Sequence, residues 1–187
     1  MIQLQTGDRI LVNSDTKLSK LIQYFMRKWA KKKGLNAEFT YSHAGTIVML
    51  TGFTYVAESV ENGFRLRQLD RHYLHNPSIT GILFVRPKQW YTEEEELNIE
   101  AYALYLQEVN NFYQYWGLLQ WAILVTTGIN LFGKGNKFSN YCYEGAYRIA
   151  KHVRPVDFPK NPEIVTCYDL YDPQRDEIVY INKQKTK

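Results

Sequence analysis

Apolar positions along the chain change period twice, and each change marks a new kind of element. Gly7 and Asp8 form a turn signal, and the Arg9-Ile10-Leu11-Val12 run behind it is short and apolar in the manner of a buried strand. Leu18, Leu21, Ile22, Phe25, Met26 and Trp29 then recur at helical spacing, which predicts an amphipathic helix capped by Ser14 or Asp15 and ending before Gly34. After Asn36 the period shortens. Ser42–Leu50 and Thr54–Val60 are β-rich runs separated by Thr51-Gly52, the pattern of a hairpin. Phe64–Leu69 alternates like a half-exposed strand, while Gly81–Val85 is apolar and stops at Arg86-Pro87 like a more buried one. Four or more strands in succession predict an antiparallel sheet.

Helical spacing returns in the second half. Thr92 and Glu95 stand in capping-box positions, and the charges of Glu93, Glu94 and Glu96 suit a helix N-terminus, so this acidic run is structural. Leu97, Ala101, Leu104 and Tyr105 carry the helix to about Trp116, and a second apolar helical segment follows from Leu118. Gly133-Lys134-Gly135-Asn136-Lys137 lacks the spacing of a phosphate-binding loop and follows no strand, which makes it a connector. Ser139 or Asn140 can cap a further helix whose first turn holds Cys142. Beyond Pro155, with Pro159, Pro162 and Pro173, the tail is expected to wrap the surface, and Ile178–Ile181 to add an edge strand.

With 187 residues at 45% hydrophobic, the chain can bury one core without disulfides or metal, so residues 1–187 are expected to form a single domain. Cys142 and Cys167 are its two cysteines, too few for a disulfide framework. The net charge of +4 on a 22% charged background implies no nucleic-acid partner. Arg27, Lys28, Lys31, Lys32 and Lys33 complement the dipole of the first helix as a solvated face; an anionic surface or lipid headgroup is the alternative, so peripheral lipid contact is retained as an expectation. The opening MIQLQTGDRILV has no basic leader, apolar run or cleavage pattern, which predicts a cytoplasmic protein. The most apolar stretch, Leu118–Val125 running on to Phe132, is broken by Gln120, Thr126, Thr127 and Gly128, short of the roughly 20 residues of a membrane span. The 15 Tyr, 9 Phe and 4 Trp are dense between Phe112 and Phe138, where side chains of this kind either pack helices or line a pocket.

The candidate chemistry centres on Cys142. First-turn N–H groups and the helix dipole favour a thiolate there, although a small buried hydrophobe is the commoner fate of a lone cysteine. His43 starts a strand directly after a polar residue, as a base presented at a sheet edge would; a core histidine is the plain alternative. Glu58 stands on the next strand of the hairpin, within reach of the ring across the strand pair, and its alternative is a solvated strand carboxylate. His72 and His75 form an H-x-x-H pair, but zinc needs three or four ligands at recognisable spacing, and surface loop histidines explain them better. His152, near the end of the Cys142 helix, and Cys167 are expected to be structural.

GDRILVN, YSHAGTIV, YVAESV and NYCYEGA, in that order, resemble the circularly permuted branch of the NlpC-type papain-like superfamily, the YiiX-like proteins. The resemblance spans Gly7 to about Ala150 and implies an α+β fold of permuted papain-like topology, an antiparallel sheet or small barrel packed against helices. It further implies a base at His43, an orienting carboxylate at Glu58 and a nucleophile at Cys142, with Glu144 matching the acid of a C-S-E-like motif. Tyr143 stands where the family often has Ser, and Tyr141 replaces Thr; these bulky neighbours narrow the site or signal a different substrate. The implied activity is that of a thiol hydrolase, an amidase, peptidase or acyl-ester hydrolase working through a thioester, with no cofactor or metal. Its substrate is a small amide, a peptide, a cell-wall-derived amide or an acyl lipid, with Phe112–Phe138 as a candidate acyl pocket. The alternative is a catalytically silent binding module for an apolar or acyl ligand.

Overall fold

The computed structural model describes residues 3–109, 112–113, 123, 127, 139–162 and 165–183. Its elements run β1 (Arg9–Ser14), α1 (Lys17–Lys33), β2 (His43–Leu50), β3 (Phe53–Val60), β4 (Gly63–Gln68), a π-helical turn (Asp70–Leu74), β5 (Ile79–Pro87), α2 (Glu93–Val109), β6 (Phe112–Tyr113), β7 (Ser139–Asn140), α3 (Cys142–Val153), a short 3-10 turn (Cys167–Asp169) and β8 (Asp176–Lys183). The fold is α+β. Six strands form one sheet in the order β4-β3-β2-β1-β5-β8, and every pairing in it is antiparallel.

Strand alternation divides the core in two. Leu11, Ala44, Val48, Ala57 and Phe64 point to the face covered by α2 and α3. Ile10, Val12, Ile47, Val56, Ile82 and Phe84 point to the other, where Leu69, Tyr73 and Ile79 close over them. The β2–β3 hairpin turns at Thr51 and Gly52, with φ of 50° and 81°, the two left-handed residues that a tight hairpin with the native strand twist requires. β8 is the expected edge strand, held on β5, and its Asp176 takes a buried 2.5 Å ion pair from Arg9 of β1.

Several expected boundaries move, each for a visible reason. Thr16 caps α1, not Ser14 or Asp15, because Ser14 is still in β1 and its N–H donates to Ser19 Oγ at 3.0 Å. That anchor turns α1 so that Ser19, Ile22, Met26 and Ala30 are buried, while Leu18 and Leu21 of the expected apolar face stand exposed. Gly34 ends the helix at φ 69°. The capping box of α2 is formed, with Thr92 N–H on Glu95 Oε2 at 2.8 Å and Glu95 N–H on Thr92 Oγ1 at 3.2 Å. The helix ends at Val109, however, short of Trp116, because Phe112–Tyr113 is drawn into parallel pairing with Ser139–Asn140. The same pairing removes Ser139 and Asn140 as caps, and Tyr141 takes the N-cap position of α3. The segment expected from Leu118 and the Gly133–Lys137 connector lie outside the described residues, apart from Ile123 and Thr127, which are helical. Among the described residues no helix is long and apolar enough to cross a membrane.

One glycine is fixed by the sheet itself. Thr46 pairs with Ala57, so the next rung sets Gly45 against Glu58. A Cβ at Gly45 would fall 2.4 Å from Val56 Cγ1, 3.1 Å from the Ala57 carbonyl oxygen and 3.3 Å from Glu58 Cβ. Val56 is fully buried and stiff at χ1, so it has little room to yield. Gly45→Ala is therefore expected to lower stability by about 1–3 kcal/mol, the usual cost of overpacking, measured by denaturant unfolding. Stability equal to the parent would mean that β2 and β3 part freely at this rung.

Candidate active site

The site begins at the residue before β2. Ser42 N–H donates to the Val12 carbonyl at 3.0 Å and to Asn13 Oδ1 at 2.9 Å, and the Ser42 hydroxyl meets that of Ser19 at 2.5 Å. His43, held opposite Val12, thus starts from a fixed backbone. Its side chain is 25% exposed and its Nε2 is hydrogen-bonded to Glu58 Oε2. Glu58 is 0% exposed and reaches the ring diagonally across the rung where Gly45 has no side chain.

Two residues not singled out in the sequence complete the surroundings of that carboxylate. Tyr73, on the π-helical turn, donates its hydroxyl to the same Oε2. Arg67 of β4 brings Nη1 to 3.7 Å from Oε1, an ion pair too long for a hydrogen bond, and Oε1 has no hydrogen-bond partner among the described residues. Arg65 faces Glu58 in the strand register, but its guanidinium turns back to the Phe64 carbonyl at 2.9 Å. Burial and then the Glu58 charge push the Tyr73 phenol well above its ordinary value, so it remains a neutral donor. A tyrosine between two histidines in a loop-like segment carries no periodic signal, which is why it escapes a reading of the sequence.

Cys142, the first residue of α3, completes the group. Its Sγ lies 3.8 Å from the Ser42 carbonyl oxygen, which places the thiol near enough to the adjacent His43 ring to favour its cationic form. The thiol is 1% exposed, so the imidazole is the solvent-facing member of the pair. Tyr141 and Tyr143 do not crowd the site: both are buried, with the Tyr141 hydroxyl on the Val165 carbonyl at 2.9 Å and that of Tyr143 on the Tyr41 carbonyl. They anchor the start of α3. Glu144 is also buried and accepts from Arg148 Nη2 at 2.6 Å.

Burial of the His43 ring works against its cationic form. The Glu58 charge, the nearby Cys142 and the hydrogen bond to Glu58 outweigh that effect and push the ring up to about 10. Cys167 is the contrasting thiol: fully buried with Sγ 3.7 Å from the Phe39 carbonyl oxygen, it is pushed up to about 12 by burial. The remaining histidines stand apart. His72 Nδ1 contacts Arg67 Nη2 at 2.9 Å, His75 pairs with Asp70 at the surface, and His152 stacks on Tyr102 with ring centroids 4.0 Å apart.

No protein-family model and no curated protein matches the chain. Among solved structures it is similar to the crystal structure of metalloprotein YiiX from Escherichia coli O157:H7, with a TM-score of 0.57 and 20% identity over 87% of this chain and 78% of that one. The fold is YiiX-like. The description of that neighbour as a metalloprotein raises the question of whether this site fits a metal. Among the described residues no three His, Cys, Asp or Glu side chains are gathered as ligands. Glu58 Oε2 and His43 Nε2 are engaged with each other, and Tyr73 bonds the same oxygen, so the donors form a hydrogen-bonded chain and do not converge on a centre.

The raised histidine gives a signed prediction. Folding moves His43 from its ordinary value of 6.5 to about 10, so the stability it contributes is complete below pH 6.5 and is lost as pH rises toward 10. The His43 ring followed by NMR is expected to titrate far above 6.5 in the parent and to fall back toward or below 6.5 in Glu58→Gln, where burial acts without the opposing carboxylate. An identical titration in both proteins would separate Glu58 from the imidazole.

Proposed function

We propose that the protein is a thiol hydrolase of the permuted, NlpC-type papain-like kind, acting on a small amide, peptide or acyl ester. One observation carries this reading. Cys142 on a helix start, His43 on a strand start and Glu58 on the neighbouring strand are gathered at one place, with Glu58 hydrogen-bonded to the ring and the thiol beside it, although Cys142 is 100 residues from its contact at Ser42. A thiol with a base in contact, and a buried carboxylate holding that base, is the arrangement nucleophilic catalysis needs.

The chemistry follows from these groups. The Cys142 proton rests on His43, whose ring is pushed up to about 10 and is therefore cationic at neutral pH, and the sulfur attacks a carbonyl carbon to form the C–S bond. The resulting oxyanion is served by the backbone N–H of Cys142 at the start of α3. The imidazolium passes its proton to the leaving nitrogen or oxygen as that bond breaks, leaving a thioester. Water then loses a proton to His43 and attacks the thioester, releasing the acid and restoring the thiolate beside the protonated ring. Glu58 keeps the ring oriented throughout, with Tyr73 holding Glu58.

The second reading, a binding module for an apolar or acyl ligand, has its own observation. A cavity of about 830 Å³ is lined by Leu4, Met49, Phe53, Leu69, Leu74 and Phe84, and contains none of Cys142, His43 and Glu58. The acyl pocket expected at Phe112–Phe138 lies almost wholly outside the described residues.

Labelling separates the two. A small thiol-directed electrophile at neutral pH is expected to modify Cys142 well before Cys167, and His43→Ala to slow that labelling by about 10²-fold or more. Intact mass after exposure to acyl esters and amides should show a Cys142 thioester. Equal labelling of the two thiols, or labelling indifferent to His43→Ala, would leave the binding-module reading in its place.

A further inference from the structure

We infer that α1 is a peripheral docking surface for an anionic lipid bilayer. Its sequence, KLSKLIQYFMRKWAKKK, holds six lysines, one arginine and no acid, a charge of +7. The whole chain has 23 Lys and Arg against 19 Asp and Glu, so the residues outside α1 carry 16 against 19, or −3. Positive charge is concentrated on this helix while the remainder of the molecule is mildly acidic.

Rotation of the helix decides what those cations surround. Ser19, Ile22, Met26 and Ala30 form the buried stripe. Leu18, Leu21 and Tyr24, each three residues from the last, are 47%, 51% and 59% exposed. At about 100° per residue, Leu21 and Tyr24 fall opposite the buried stripe and between Lys17, Lys20, Lys28 and Lys31, with Leu18 at their flank. Single exposed leucines are ordinary. Three large apolar side chains in a row on an acid-free cationic helix form a patch with a use. It is the composition of a helix lying in a membrane interface, where apolar groups enter the headgroup boundary and lysine stems reach back to anionic headgroups. A nucleic-acid surface is the poorer match: six lysines to one arginine lacks the bidentate donors favoured at phosphates, and Leu18 and Leu21 would contact nothing.

This inference stands without the hydrolase reading. The buried side of α1 nevertheless reaches the candidate active site, because Ser19 meets Ser42 next to His43. Docking through the outer side would bring the site close to the lipid surface.

Flotation of the full chain with vesicles tests it. The parent is expected to float with vesicles of phosphatidylcholine and phosphatidylserine, to stay unbound with phosphatidylcholine alone, and to be released by high salt. Leu21→Ser with Tyr24→Ser leaves every charge in place and changes only exposed positions; it is expected to weaken binding about tenfold or more. Lys28→Glu with Lys31→Glu should abolish binding while circular dichroism shows the fold retained. Absence of binding to the mixed vesicles overturns the inference, as does unchanged binding by the Leu21/Tyr24 variant. Tighter binding to duplex RNA or DNA than to the vesicles, lost through the same lysines, would assign the surface to nucleic acid instead.

Discussion

A carboxylate removed from water between two strands has to be neutralised where it lies, and Glu58 imposes that demand on everything around it. Desolvating an ion of this size costs several kcal/mol even after relaxation, far more than one ordinary hydrogen bond returns. The compensation comes from several elements: the His43 ring from β2, the Tyr73 hydroxyl from the π-helical turn and the Arg67 charge from β4. None of them suffices alone, because Tyr73 and His43 share Oε2 and Arg67 is too distant from Oε1 for a hydrogen bond. The carboxylate therefore ties together the same elements that set the orientation of the imidazole. Gly45 is part of that constraint, since a side chain there would press on Val56 and on Glu58 itself.

The thiol side is built by different means. α3 has no side-chain cap, and its first turn is located by the Tyr141 and Tyr143 hydroxyls on backbone carbonyls and by the β6–β7 pairing just before it. α1 fixes the strand side through Ser19 and Ser42. Cys142 and His43 thus meet because two rigid elements are each anchored by buried polar contacts, and their meeting does not depend on the mobility of a long side chain. Cys167 shows what such anchoring changes. It is as buried as Cys142, but its thiol faces the Phe39 carbonyl oxygen and no histidine among the described residues, and burial is the main cause that pushes it up.

Much of this was legible in the chain, because it depends on local rules. The strand runs, the Thr51-Gly52 turn, the Thr92–Glu95 capping box and Gly34 as a stop are each decided by a few neighbouring residues. The joint order of GD, SHAG, AES and YCYEG also marked His43, Glu58 and Cys142, which the fold brings together. What escaped depends on distant partners. The end of α2 at Val109 is set by pairing with residues about thirty positions on, and the rotation of α1 by a serine that bonds β1 and Ser42. Hydrophobic spacing alone assigned Leu18 and Leu21 to the core, because it weighs apolar character and ignores a buried hydroxyl network. Tyr73 and Arg67 were invisible for the same reason, as their importance comes only from a carboxylate on another strand.

The placement of the base at the first residue of β2 also has a geometric cause. Alternation sends the Glu58 side chain to one face of the sheet with Ile47 and Val56, where Tyr73 from the π-helical turn meets it, whereas Cys142 packs on the opposite face with Leu11 and Ala44. A histidine in the middle of β2 could reach only one of these groups, because the sheet itself would stand between them. The β2–β3 ladder starts at Thr46 and Ala57, so at His43 the chain has run past that pairing. There the ring can turn one edge to Glu58 and remain in reach of a thiol coming from the other side. Moving the same histidine two residues into the strand would keep its face and its carboxylate and lose the sulfur, so the strand terminus is what allows the two halves of the site to meet.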